Sequence, residues 1–147
     1  TTVPDLRVPE KWAVISTLVD TLIADMQFPP EEKQMVLDKV YEREKEEATC
    51  AGRGIAIPHA PLPGFRGTVG ALGLCKKGIP WAEGQGPVHL VFLMVTAADD
   101  YANYLGVLSR IARLITDEET RTRMLKSRTA ADLMLTMENF EGTALDG

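Results

Sequence analysis

An α+β fold is predicted for this 147-residue chain: three layers, α/β/α, with a central mixed β-sheet flanked by helices. Apolar residues recur at helical spacing near the start of the chain and again near its end. Between them, apolar and β-branched runs bounded by glycine and proline read as strands. Helices, then clustered strands, then helices is not the strict alternation of a doubly wound sheet. One sheet layered between helices is the packing that covers both of its faces.

Taken in order, Val3 to Val8 suits a short strand, confined to a sheet edge by Pro4 and Pro9. Trp12, Ile15, Val19, Leu22 and Met26 give one apolar face to a helix over residues 10–26. Phe28-Pro29-Pro30 breaks that helix, and Pro30 fits the first turn of a second one, with Glu31 and Glu32 near its positive end. Val36, Leu37, Val40 and Tyr41 form its buried stripe, and the charged run Glu42 to Glu47 carries it to about residue 48. Ile55 to Ile57 reads as a brief buried strand, from whose end His59 emerges in a proline-rich loop. Thr68 to Cys75 is a strand weakened by Gly70 and Gly73, Lys76-Lys77-Gly78 a turn, and Val88 to Val95 a strand apolar enough to be covered on both faces. Tyr101, Leu105, Leu108, Ala112 and Ile115 mark a helix. Thr116 with Glu119 gives a capping box for the next, Thr129 with Asp132 a weaker one for the last, and the tail from Gly142 is expected to be loose.

Length and composition (45% hydrophobic, 25% charged) are those of a single globular domain over residues 1–147, one that buries about 68–70% of its unfolded surface. The chain begins at Thr1, so excision from a longer polypeptide stays open. A net charge of −5 with no basic cluster argues against nucleic acid or an anionic membrane surface as partner. No apolar run approaches the ~20 residues that a membrane-spanning helix requires. Cys50 and Cys75 sit in no CxxC, and the default is two free thiols in a reducing cytoplasm. Zinc held by Cys50, His59, Cys75 and His89 would match no ligand spacing, so neither metal nor cofactor is expected.

The stretch with chemical content is Gly54-Ile55-Ala56-Ile57-Pro58-His59-Ala60-Pro61-Leu62-Pro63-Gly64. Pro58 holds Ile57 extended and fixes its own φ, so His59 is delivered on a stiff backbone. Taken alone, the histidine reads equally well as a polar surface residue. Arg43 alone would read as a helix-surface residue paired with Glu47 one turn on.

Together with Arg43-Glu44 and Thr49, the ending Gly54-Ile55-Ala56-Ile57-Pro58-His59 resembles the fructose/mannitol-type (type 2) enzyme IIA domain of the bacterial phosphoenolpyruvate-dependent sugar phosphotransferase system. Gly78-Ile79-Pro80-Trp81 and Pro87-Val88-His89-Leu90-Val91-Phe92-Leu93 extend the resemblance over nearly the whole chain. It implies that His59 accepts a phosphoryl group from the phosphohistidine of an HPr-like phosphocarrier and passes it to an enzyme IIB component. The activity would be that of a phosphotransferase with a phosphohistidine intermediate, located in the cytoplasm. Arg43 would then supply charge to the phosphate through its two-pronged guanidinium. Thr49 would hydrogen-bond the phosphate or the imidazole, or cap the end of the second helix. The family's second active-site histidine aligns with Tyr104, whose phenol donates a hydrogen bond but carries no positive charge at neutral pH. His89 lies inside a strand and is expected to be structural, its ring hydrogen-bonded at the sheet. The alternative function is a regulatory or sensor module of the same fold, fused to or controlling a transporter or regulator, with little phosphorelay because of Tyr104.

Overall fold

The computed structural model describes residues 2–4, 6–7, 10–64, 67–99, 101–129 and 132. Strand β1 (Thr2–Val3) precedes helix α1 (Lys11–Ala24), a 3-10 turn (Pro30–Glu32) and helix α2 (Lys33–Glu46). Strands β2 (Cys50–Gly52), β3 (Ile55–Ala56), β4 (His59–Leu62), β5 (Thr68–Ile79) and β6 (Val88–Ala97) follow, then helices α3 (Tyr101–Thr116) and α4 (Glu118–Leu125). The sheet is mixed, in the order β1-β5-β6-β3-β2, with β4 also paired to β6. Its centre is the long antiparallel pair β5–β6; β1 runs parallel to β5, and β3 and β4 run parallel to β6.

Two apolar layers cover the sheet, as the periodicity predicts. On one face, Val14, Ile15, Leu18, Val19 and Leu22 of α1 and Val36, Leu37 and Val40 of α2 pack on Ala56, Ala60, Leu62, Val91, Leu93 and Val95. On the other, Leu114, Ile115 and Met124 pack on Ile55, Leu72, Leu74, Leu90 and Phe92. Successive β6 residues therefore serve opposite layers, and each fully buried Leu or Ile contributes about 1.5–3 kcal/mol. Gly73 lets α1 approach: a Cβ there would run into Leu6 and lie 3.2 Å from Leu18 Cδ2.

Five local expectations need correction. The first strand stops at Val3 rather than reaching toward Val8, although Leu6 N still donates to Leu74 O at 2.8 Å. Lys76-Lys77-Gly78 is no turn: β5 continues through it to Ile79, with an irregular register against β6 between Leu74 and Ile79 and Gly78 at φ +76°. The His59 loop is itself a strand, because β6 supplies pairing partners from Met94 to Ala97. Thr116 does not cap α4, since its hydroxyl donates back to Arg113 O. Asp117 is the cap, accepting from Thr120 N at 3.2 Å. Among the described side chains of α3, Leu114 and Ile115 are buried, whereas Leu105 and Ala112 of the expected stripe are exposed. Asp132 N does donate to Thr129 Oγ1, at 3.1 Å, but the rest of the expected last helix and the tail from Gly142 lie outside the described residues.

Candidate functional site

Ile55 to Leu62 runs alongside β6 in one unbroken register, Ile55 opposite Leu90 and His59 opposite Met94. The interruption at Ile57-Pro58 arises because proline brings no N–H, and Ile57 N turns instead to Thr49 O at 2.8 Å. Met94 N donates to Pro58 O at 3.0 Å, so the peptide entering His59 is held from both sides. Alternation along the strand sends Ala60 and Leu62 into the core, leaving Pro61 exposed and His59 partly buried on the opposite face.

The imidazole is oriented by its own strand. His59 Nδ1 lies 2.7 Å from Ile57 O. A carbonyl oxygen only accepts, so in the neutral ring Nδ1 carries the proton and Nε2 the lone pair. The His59 pKa is lowered. Burial is the main cause and the Arg43 charge adds to it, while the Ile57 hydrogen bond and Glu44 act in the opposite sense. The site thus favours a neutral ring with a defined nucleophilic nitrogen.

Arg43 lies in the last turn of α2, the helix that packs against β4, and is partly buried. Among the described residues no carboxylate lies within ion-pair distance of its guanidinium, so the expected alternative, a pair with Glu47, is not formed. Its charge adds to burial in lowering the His59 pKa. Thr49 N and Oγ1 donate to Glu44 Oε1 and Oε2 at 3.0 and 2.5 Å. These bonds go to the Glu44 side chain rather than to a carbonyl at the end of α2, and they engage the one hydroxyl proton of Thr49. Tyr104 belongs to the first turn of α3, but its side chain lies outside the described part of the structure. His89 is structural as expected: Nδ1 lies 3.0 Å from Cys75 O, and Gly54 and Gly78 leave room for its ring.

Glu44 was missed as a site-building residue. It is 2% exposed, yet its carboxylate gathers Thr49, the indole N–H of Trp81 at 2.8 Å and Lys11 Nζ at 3.5 Å. The signal was in the sequence: Glu44 continues the Leu37–Val40 stripe by one turn, and a carboxylate on a buried stripe demands donors. Cys50 and Cys75 are free thiols, and burial pushes Cys75 up to about 12, which makes it unreactive.

The sequence model of the family described as "Phosphoenolpyruvate-dependent sugar phosphotransferase system, EIIA 2" matches residues 1–140. This chain belongs to that family. Among proteins similar to this EIIA domain is a Bradyrhizobium diazoefficiens "Nitrogen regulatory protein", 34% identical over 128 residues, which are 86% of this chain and 82% of that protein. The fold of nitrogen regulatory protein IIA-Ntr from Neisseria meningitidis superposes with a TM-score of 0.82 at 23% identity over 92% of both chains. A structure of the Escherichia coli complex of mannitol enzyme IIA with phosphorylated enzyme IIB also matches, with a TM-score of 0.76 at 16% identity over 94% of both chains. At those identities the two structures establish the shared EIIA architecture.

Proposed function

We propose that this EIIA domain is a phosphocarrier that takes a phosphoryl group on His59 Nε2 from an HPr-like phosphohistidine donor and yields it to an enzyme IIB component. The Nε2 lone pair attacks phosphorus as the donor's N–P bond breaks, and the departing donor nitrogen keeps that bond's electron pair. Return of the lone pair to Nε2 accompanies transfer onward. Such a transfer asks for positioning and charge stabilisation rather than covalent help from the protein. The observation that carries the reading is the imidazole itself, held by Ile57 O with its lone pair on Nε2; the Arg43 guanidinium, with no carboxylate partner among the described residues, adds to burial in favouring the neutral ring. A guanidinium grips two phosphate oxygens at once. No helix of the described residues is long and apolar enough to cross a membrane, which suits a domain that meets its partners in the cytoplasm.

Incubation with phosphorylated HPr tests the proposal. An acid-labile, base-stable adduct is expected on wild type and absent from His59→Ala; equal labelling of the two would end it.

A second reading is favoured by the nitrogen regulatory relative and by Tyr104 standing where a second histidine is expected. There the phosphorylated and unphosphorylated forms of His59 act as a signal to a transporter or regulator instead of relaying sugar phosphate. Adding an enzyme IIB component separates the two: relay predicts rapid discharge of the adduct, signalling predicts its persistence.

A further inference from the structure

Four hydrogen bonds in three successive steps connect a buried carboxylate to the imidazole. Glu44 accepts from Thr49 N and Thr49 Oγ1. Thr49 O accepts from Ile57 N at 2.8 Å. Ile57 O accepts from His59 Nδ1–H at 2.7 Å. Each link joins a different element: α2, the connection into β2, the break after β3, and β4. The carboxylate end is fixed independently by Trp81 Nε1, contributed by the β5–β6 connection, and by Lys11 Nζ from α1.

We propose that Glu44 is a positioning residue for His59, holding Thr49 so that the Ile57 carbonyl keeps the proton on Nδ1 and the lone pair on Nε2. This rests on the reading of His59 as phosphoryl acceptor. The argument is geometric. Ile57 lies two residues before His59, in the break between β3 and β4, so a small rotation of the Ile57–Pro58 peptide withdraws the carbonyl from Nδ1. Pro58 restricts that peptide on one side. On the other, the preceding peptide is anchored by Ile57 N to Thr49 O, and Thr49 is in turn held through its N–H and hydroxyl, which both donate to Glu44. Trp81 is thereby linked to the site as well, although its indole touches the carboxylate rather than the imidazole.

Hydrogen bonding and charge are separable. A glutamine at this position keeps an oxygen for Thr49 N and Trp81 Nε1, and its amide can donate to a rotated Thr49 hydroxyl. An alanine keeps nothing. The test uses the full chain, labelled with nitrogen-15, with long-range proton–nitrogen correlation spectra identifying the protonated nitrogen of neutral His59. Phosphoryl acceptance from phosphorylated HPr is measured alongside. Wild type and Glu44→Gln are expected to hold the proton on Nδ1. Glu44→Ala is expected to redistribute it toward Nε2 and to slow acceptance by about ten- to a hundredfold, the usual scale for removing an orienting outer partner. Should Glu44→Ala fail to fold, Thr49→Val and Trp81→Phe each withdraw one donor and are expected to move both readouts in the same direction by less, with Thr49→Ser restoring the first.

A folded Glu44→Ala that keeps the wild-type tautomer, or Thr49→Val and Trp81→Phe keeping it where Glu44→Ala does not fold, overturns the proposal whether or not acceptance falls, and so does a tautomer shift with unchanged acceptance. If wild type itself takes no phosphate, the relay reading falls, while the tautomer comparison still decides whether Glu44 orients His59.

Discussion

Arg43→Ala offers a three-part signature in which stability, acidity and rate move differently. Arg43 is partly buried, and among the described residues it pairs with no carboxylate, so truncation removes no ion pair and should change unfolding free energy by no more than about 0.5 kcal/mol. Its charge helps to lower the His59 pKa, so that pKa should rise in the variant. Hydrogen bonds from a charged donor to phosphate are worth about 1.5–3 kcal/mol, and with each 1.36 kcal/mol a factor of ten, acceptance should slow by roughly ten- to a hundred-and-fifty-fold. The rate is best measured at mildly alkaline pH, where the ring is neutral in both proteins and the acidity change does not mask the lost contact. Arg43→Lys separates the causes further, since it keeps the charge that lowers the His59 pKa but loses the two-pronged grip. Initial rates of phosphohistidine formation, an NMR titration of the His59 ring and a urea melt supply the three readouts. Acceptance at the wild-type rate in Arg43→Ala, or a His59 pKa that does not rise, would refute the placement of Arg43 over the acceptor.

Other expectations concern pH and backbone. Because burial lowers the folded His59 pKa below the ordinary value of 6.5, the unfolded chain takes up the proton first. Stability from this residue is therefore present above about pH 6.5 and lost as pH falls through the folded pKa, and His59→Gln should flatten that part of a plot of urea midpoint against pH. Met26 occupies a left-handed position (φ 58°) after α1, where its N–H bonds Ile23 O and that of Gln27 bonds Leu22 O, and it is 88% exposed. Met26→Gly should stabilise the fold by about 0.5–1 kcal/mol in a thermal melt. Gly78→Ala should destabilise by about 2–4 kcal/mol, since the new Cβ would sit 2.8 Å from Pro87 Cβ and 3.0 Å from His89 Cε1 at φ +76°.

The layered α/β/α arrangement was legible because it rests on periodicity that no neighbour contradicts. The Trp12–Leu22 part of the first stripe, the Val36–Val40 stripe and the continuous apolar run of β6 all pack into the core, whereas Met26, the expected last member of the first stripe, lies beyond α1 and is exposed. The strand character of His59-Ala60-Pro61-Leu62 was not legible, since Pro58, Pro61 and Pro63, three prolines in six positions, disfavour a strand locally and only β6, more than thirty residues on, supplies the partners. Lys76-Lys77-Gly78 misled for the same reason: local turn chemistry was absorbed as an irregularity inside a long pairing. On α3, the sequence shows apolar residues on more of the helix than the sheet can cover, and Leu105 lies off the contact face. The grouping of Arg43 with His59 had no signal in periodicity; it came through resemblance, and α2 does pack on β4.

Adjacent residues of opposite charge end α2, and the geometry explains why they do not neutralise each other. Neighbours on a helix point about 100° apart, so Arg43 and Glu44 address different surroundings. Glu44 turns inward, where Lys11, Trp81 and Thr49 satisfy it. A buried carboxylate so held no longer draws on Arg43. The guanidinium can therefore act on whatever anion reaches His59, and its nearness disfavours a protonated ring before that anion arrives. A doubly charged phosphoryl group reverses the balance. On the proposed phosphocarrier reading, the group once attached to Nε2 would attract the same guanidinium that opposes a proton on the ring, so the charge that adds to burial in keeping the ring neutral would also stabilise the phosphorylated product.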